Sequence, residues 1–128
     1  EHREDTVDLA ELLERLRATL VQGLVSGTEV TAELEVVELE GQRATALALV
    51  FSELLGNALE HGGRQVAIRL ARRDGLAVLS VLDNGKGMAG SPEGTGLSIV
   101  RALVGDELGG SLALVDDAGL RVEVVFPA

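Results

Sequence analysis

Three groups of residues in this 128-residue chain have types and spacings that could do chemistry. Glu53, Asn57 and His61 recur at every fourth position inside a run that is otherwise apolar. On a helix that spacing sets a carboxylate, a carboxamide and an imidazole along one stripe. Burying three polar groups in register costs stability unless something bonds them. A carboxylate so placed can accept a proton, and an amide oxygen suits a hard cation that keeps several of its waters. Asp83 then heads a turn containing Gly85 and Gly87, and Gly94-Thr95-Gly96 precedes the apolar Leu97, Ile99 and Val100. Unpaired N–H groups at the start of such a helix, backed by its dipole, favour an anion. Together these are the parts of an ATP site.

Each group also has a plainer reading. Glu53 could face water, and His61 could be a helix C-terminal residue favoured by the macrodipole. Asp83 could be a local acceptor for its own turn, and Gly94-Thr95-Gly96 a simple helix start. The joint reading rests on all three occurring in this order along one chain.

The elements that must position them follow from periodicity. Leu9, Leu12, Leu13, Leu16, Leu20 and Leu24 predict an amphipathic helix over roughly residues 7–25, with Thr6 or Asp8 as its cap. Val30, Ala32, Leu34 and Val36 alternate with Thr31, Glu33 and Glu35, the pattern of a half-exposed antiparallel strand that Gly41 ends. Residues 42–61 are apolar nearly all round and predict a central, largely buried helix. Val66, Ile68 and Leu70 form a strand, Arg73-Asp74-Gly75 a hairpin turn, and Leu76 to Leu82 a strand that delivers Asp83 to its C-terminal end. Residues 88–93 read as a short mobile loop, residues 97–108 as a helix broken by Gly109-Gly110, and residues 111–115 and 120–126 as a closing hairpin. This order predicts an α+β fold, a two-layer α/β sandwich with a mixed sheet packed against about three helices.

Composition narrows the function. The length fits a single domain over residues 1–128. With no Cys there is no disulfide framework and no thiolate metal site. With no Trp or Tyr and two Phe, base-stacking platforms are excluded, and a net charge of −10 opposes binding to nucleic acid. No apolar run spans a bilayer and no signal peptide opens the chain, so a cytoplasmic domain without membrane contact is expected. Residues 1–6 read as the ragged end of an upstream helix in a longer protein.

The pattern Glu53-Leu-Leu-Gly-Asn57-Ala-Leu-Glu-His61, Asp83-Asn-Gly85-Lys-Gly87 and Gly94-Thr-Gly96-Leu-Ser-Ile-Val100 resembles the N, G1 and G2 boxes of the Bergerat (GHKL) ATPase and kinase superfamily. The resemblance covers nearly the whole chain. It implies that Asn57 ligates Mg2+ bridging the ATP phosphates, that Glu53 takes a proton from the attacking nucleophile, and that His61 steadies the phosphates. It implies that Asp83 accepts the adenine amine, with Gly85 and Gly87 allowing the backbone close to the base. It assigns Gly94, Thr95, Gly96 and Leu97 to the phosphate-binding helix start. The N box reads E-L-x-x-N-A-x-x-H, which is similar to a subclass of sensor histidine kinases, and most similar to soluble actinobacterial kinases that signal to RNA-binding antiterminator response regulators. The implied function is donation of the ATP γ-phosphate to a histidine on a separate dimerisation domain of the same protein, with a response regulator downstream.

Two departures stand out. The stretch between the G1 and G2 boxes is short and has no Phe, so an F box is absent. His2 is the one His outside the N box, and it lacks the apolar helical surroundings of a phosphoacceptor. Alternatives are an anti-sigma-type serine kinase and a non-catalytic ATP-responsive module. Since dimerisation belongs to other helices in the kinase reading, this domain is expected to be monomeric.

Overall fold

The structure, a computed structural model, describes residues 6–22, 27–61, 64–85, 95–116 and 119–128, with only the backbone of His61, Thr95 and Gly96. The chain runs β1 (Thr6–Asp8), α1 (Leu9–Gln22), β2 (Glu29–Leu34), β3 (Glu38–Glu40), α2 (Gly41–His61), β4 (Gln65–Arg73), β5 (Leu76–Asp83) and α3 (Thr95–Ala102). A π-helical segment (Leu103–Glu107), β6 (Ser111–Asp116) and β7 (Leu120–Pro127) complete it. A five-stranded mixed sheet in the order β2-β4-β5-β7-β6 forms one layer and the helices the other, as the α+β expectation required.

Alternation along the strands decides the sides of the sheet. Val66, Ile68 and Leu70 of β4, Ala77, Leu79 and Val81 of β5, and Val122, Val124 and Phe126 of β7 are buried under the helices. The intervening Arg69, Ser80 and Glu123 lie on the helix-free face. From the other layer α2 contributes Ala44, Leu47, Val50, Phe51, Leu54, Leu55 and Ala58, and α1 contributes Leu9 and Leu13. Each fully buried Leu or Phe stabilises the fold by roughly 1.5–3 kcal/mol, so this aliphatic core needs no staple.

Several expectations change. The first helix starts at Leu9, because Val7 is drawn into β1, which pairs antiparallel with β3. Asp8 is its cap: Oδ1 accepts from the N–H groups of Ala10 at 3.0 Å and Glu11 at 3.4 Å. The segment expected as one antiparallel strand is two strands. β2 runs parallel to β4, and after a break β3 joins the other, two-stranded sheet. The physical reason is the 21-residue helix α2 between β2 and β4. A crossover of that kind returns the chain in the same direction, whereas alternation marks only that one face is covered. Gly41 follows the end of β3, as read, and also opens α2. Leu49 departs from the all-round burial of α2 and is 56% exposed. Asp74 and Gly75, with φ of 54° and 82°, form the tight β4–β5 hairpin turn as read.

Helix α3 passes into the π-helical segment, where the Leu108 N–H donates to the Leu103 carbonyl at 3.1 Å. Arg43, in the first turn of α2, fastens this end. Its Nη2 donates to the Leu108 carbonyl at 2.8 Å and the Pro127 carbonyl at 2.7 Å. These charge-assisted bonds tie α2, the end of the π segment and β7 together. Arg43→Met keeps the aliphatic stem and removes both, so a loss of about 2 kcal/mol is expected. A urea midpoint that falls at unchanged slope is the check.

Candidate functional site

The stripe read from the sequence lies on α2, which packs against β5 and α3, the elements that bear Asp83 and the G2 sequence. Glu53 and Asn57 are one turn apart and half-buried. Neither side chain has a hydrogen-bond or ion-pair partner among the described residues. A half-buried carboxylate and amide without protein partners keep their acceptor capacity for something else. The backbone of His61 ends α2, and Thr95 and Gly96 open α3. Leu97 is buried and anchors the first turn of α3 in the core. Gly87 and Gly94, with the loop expected to be mobile, lie outside the described residues.

Asp83 is the last residue of β5 and the single buried polar or charged side chain among the described residues. Its Oδ1 accepts from the Gly85 N–H at 2.8 Å and the Leu120 N–H at 3.4 Å. The local turn reading is therefore true, and it uses one oxygen. Oδ2 has no partner among the described residues, so an acceptor remains on a carboxylate that is already oriented. An amide oxygen with no partner among the described residues suits a hydrated hard cation, and a fixed carboxylate oxygen with none suits a base amine.

Sequence reasoning missed two contributors. Asn84 ties the turn to the exit of α2: its Oδ1 accepts from the N–H groups of Arg64 at 3.1 Å and Gln65 at 3.0 Å. Its own N–H donates to the Gln65 carbonyl at 3.2 Å. The Asp83-Asn84 pair thus faces two ways, one side chain bonded to the Gly85 and Leu120 N–H groups and the next to the chain after α2. The second contributor is the Gly119-Leu120 tip. The turn composition around Gly119 signals a hairpin, and nothing in it signals a contact with Asp83. A surface depression of about 400 Å³ is lined by Glu29, Thr31, Gln65, Ala67, Leu82, Asp83 and Asn84, and among the described residues it draws none from α2 or α3.

Residues 42–128 match the family of histidine kinase-, DNA gyrase B- and HSP90-like ATPases. The chain is 37% identical over 102 residues to the sensor histidine kinase PdtaS of Mycobacterium tuberculosis, covering 69% of this chain and 20% of that protein. It is 38% identical over 64 residues to the signal transduction histidine-protein kinase AfsQ2 of Streptomyces coelicolor, covering 44% of this chain and 12% of that one. The chain therefore spans about a fifth or less of the length of these curated relatives. Among solved structures, the histidine kinase domain of the Erythrobacter litoralis EL346 blue-light activated histidine kinase superposes with a TM-score of 0.83 at 27% identity. That likeness covers 94% of this chain and 61% of the other. The family match begins at the first turn of α2 and runs through the stripe, the Asp83 turn and the closing hairpin, so the chain belongs to the histidine kinase-, DNA gyrase B- and HSP90-like ATPases.

Proposed function

We propose that this chain is the ATP-binding catalytic domain of a two-component sensor histidine kinase, binding Mg-ATP and presenting the γ-phosphate to a histidine on a separate dimerisation domain. The observation that carries the reading is the Asp83 carboxylate, buried, held at one oxygen by two main-chain N–H groups and without a partner at the other among the described residues. An acceptor fixed in this way suits the adenine amine. Asn57 offers its amide oxygen to Mg2+, and the bound metal would neutralise phosphate charge. His61, Gly94, Thr95, Gly96 and Leu97 belong to the phosphate side in this reading, and Gly85 and Gly87 to the base side with Asp83.

Glu53 is the proton acceptor in this reading. It stands one turn before Asn57, half-buried, with no cation paired to it among the described residues. An imidazole delivered beside it loses its proton to that carboxylate as its nitrogen bonds the γ-phosphorus, the bond to the β–γ bridging oxygen breaks, and ADP leaves. Most of the rate comes from positioning, since phosphoryl transfer asks little covalent chemistry of the protein. Ile99 on α3 and Leu49 on α2 are 61% and 56% exposed, and they give the incoming helical domain apolar footholds on the helices that bear the site. A response regulator then takes the phosphate from the histidine. The Mycobacterium and Streptomyces relatives support the affinity to actinobacterial kinases, for which an antiterminator regulator is the partner to try first. Among the described residues no helix is long and apolar enough to cross a membrane; in our reading the domain works as a monomer in the cytoplasm.

Labelled ATP tests this directly. The chain alone should bind nucleotide and gain no acid-labile phosphate, and a domain carrying the acceptor histidine, added in trans, should become labelled. Glu53→Gln should slow that labelling by roughly 100-fold or more while ATP affinity stays within a factor of about two. Label appearing on a serine of a small partner protein would move the chain to the serine-kinase reading, and unchanged rates in Glu53→Gln would remove the base role.

A further inference from the structure

The β6–β7 hairpin brings its tip onto Asp83. β7 pairs with β5 as far as Leu82↔Arg121, so Leu120 and Gly119 come alongside the end of β5. Gly119 has φ of 136°, a conformation that L side chains rarely adopt. A Cβ there would stand 1.9 Å from the Asp83 carbonyl oxygen, 2.8 Å from its carbon and 2.9 Å from the Asn84 Cα. All three are main-chain atoms that cannot rotate away. Glycine is therefore what lets the tip lie against the Asp83-Asn84 peptide. The next residue uses that approach: the Leu120 N–H donates to Asp83 Oδ1 at 3.4 Å, beside the Gly85 N–H at 2.8 Å.

We infer that the Gly119-Leu120 tip is a positioning element of the base site, and that Gly119 sets the preference for adenine over guanine by fixing the direction of Asp83 Oδ2. This rests on the nucleotide reading above. Two donors converge on Oδ1, and Oδ2, without a partner among the described residues, is left as an acceptor with a set direction. Adenine presents an amine where guanine presents a carbonyl, so a fixed acceptor bonds the first and repels the second. A carboxylate free to turn about its side-chain torsions re-aims toward guanine's own N–H groups, and the distinction fades. The hairpin, contributed by the far end of the chain, thus acts on specificity through Asp83 without touching the base itself.

Calorimetry with Mg-ATP and Mg-GTP on the wild-type chain and Gly119→Ala tests the inference. The variant should bind ATP about tenfold more weakly, as expected for a disturbed bond to a charged group, and its ATP-over-GTP ratio should fall by a similar factor. An equal loss for both nucleotides, leaving the ratio intact, would show a merely structural role and overturn the inference, as would unchanged affinities. Should Gly119→Ala fail to fold, the wild-type chain decides: the Leu120 and Gly85 amide resonances should move on titration with ADP, and resonances that stay still at saturation refute the proposal. A wild-type chain that binds no nucleotide at all would instead remove the nucleotide reading.

Discussion

Asn57→Ala should abolish Mg2+-dependent ATP binding and phosphotransfer while leaving the protein as stable as before, or more so. The Asn57 side chain has no hydrogen-bond partner among the described residues, so removing it breaks no internal bond. It sits within a 21-residue helix, where Ala is favoured over Asn by up to about 0.7 kcal/mol. A polar side chain without a bond among the described residues at a half-buried helical position is the expected signature of a site that trades stability for function. Thermal unfolding separates the two effects. The apo midpoint of the variant should equal or exceed that of the wild type, whereas the rise produced by millimolar Mg-ATP should vanish, because ligand stabilisation scales with occupancy. A variant that is still raised by Mg-ATP as much as the wild type would show that Asn57 holds no metal.

Asp83→Asn should weaken ATP by about 1.5–3 kcal/mol, the range for a hydrogen bond to a charged group, and leave the local turn in place. The substituted amide retains an oxygen that can accept from the Gly85 and Leu120 N–H groups as Oδ1 does now. What changes is the other terminus, which becomes a donor facing the adenine amine. Two donors in opposition lose the bond and add repulsion, so the effect on ATP should exceed that on GTP. Competition binding at constant Mg2+ measures this, and equal ATP and GTP affinities in the wild-type chain would contradict the role of Asp83 before any variant is made.

Much of the fold was legible because its elements state their own periods. The Leu spacing of α1, the buried run of α2 and the alternation of β4, β5 and β7 each fix which side chains face the core, and the layers follow. The direction of β2 was not legible from its own residues. An edge strand with one covered face alternates alike in either direction, and the informative feature was the helix that follows it. β1 and β3 are 3 residues each and too short to show a period. The candidate site divides along the same line. Asp83, Asn57 and Glu53 were readable because each is a polar residue at a marked place, a strand end or an apolar helix. Asn84 and Gly119 act through space on main-chain atoms distant in sequence, from Arg64 to Asp83, and no local pattern announces such contacts.

The two ends of the described chain meet at one pole. The Leu9 N–H donates to the Val37 carbonyl at 2.8 Å, and the Ala128 N–H donates to the Gly75 carbonyl at 3.0 Å, at the start of β5. Val37, Glu38, Arg72 and Ala128 line one hollow there. Asp83 is at the other end of β5, about 24 Å away for a strand of this length. A label attached at Ala128 would therefore report on the end of the sheet opposite Asp83 and leave the Asp83 turn unobstructed.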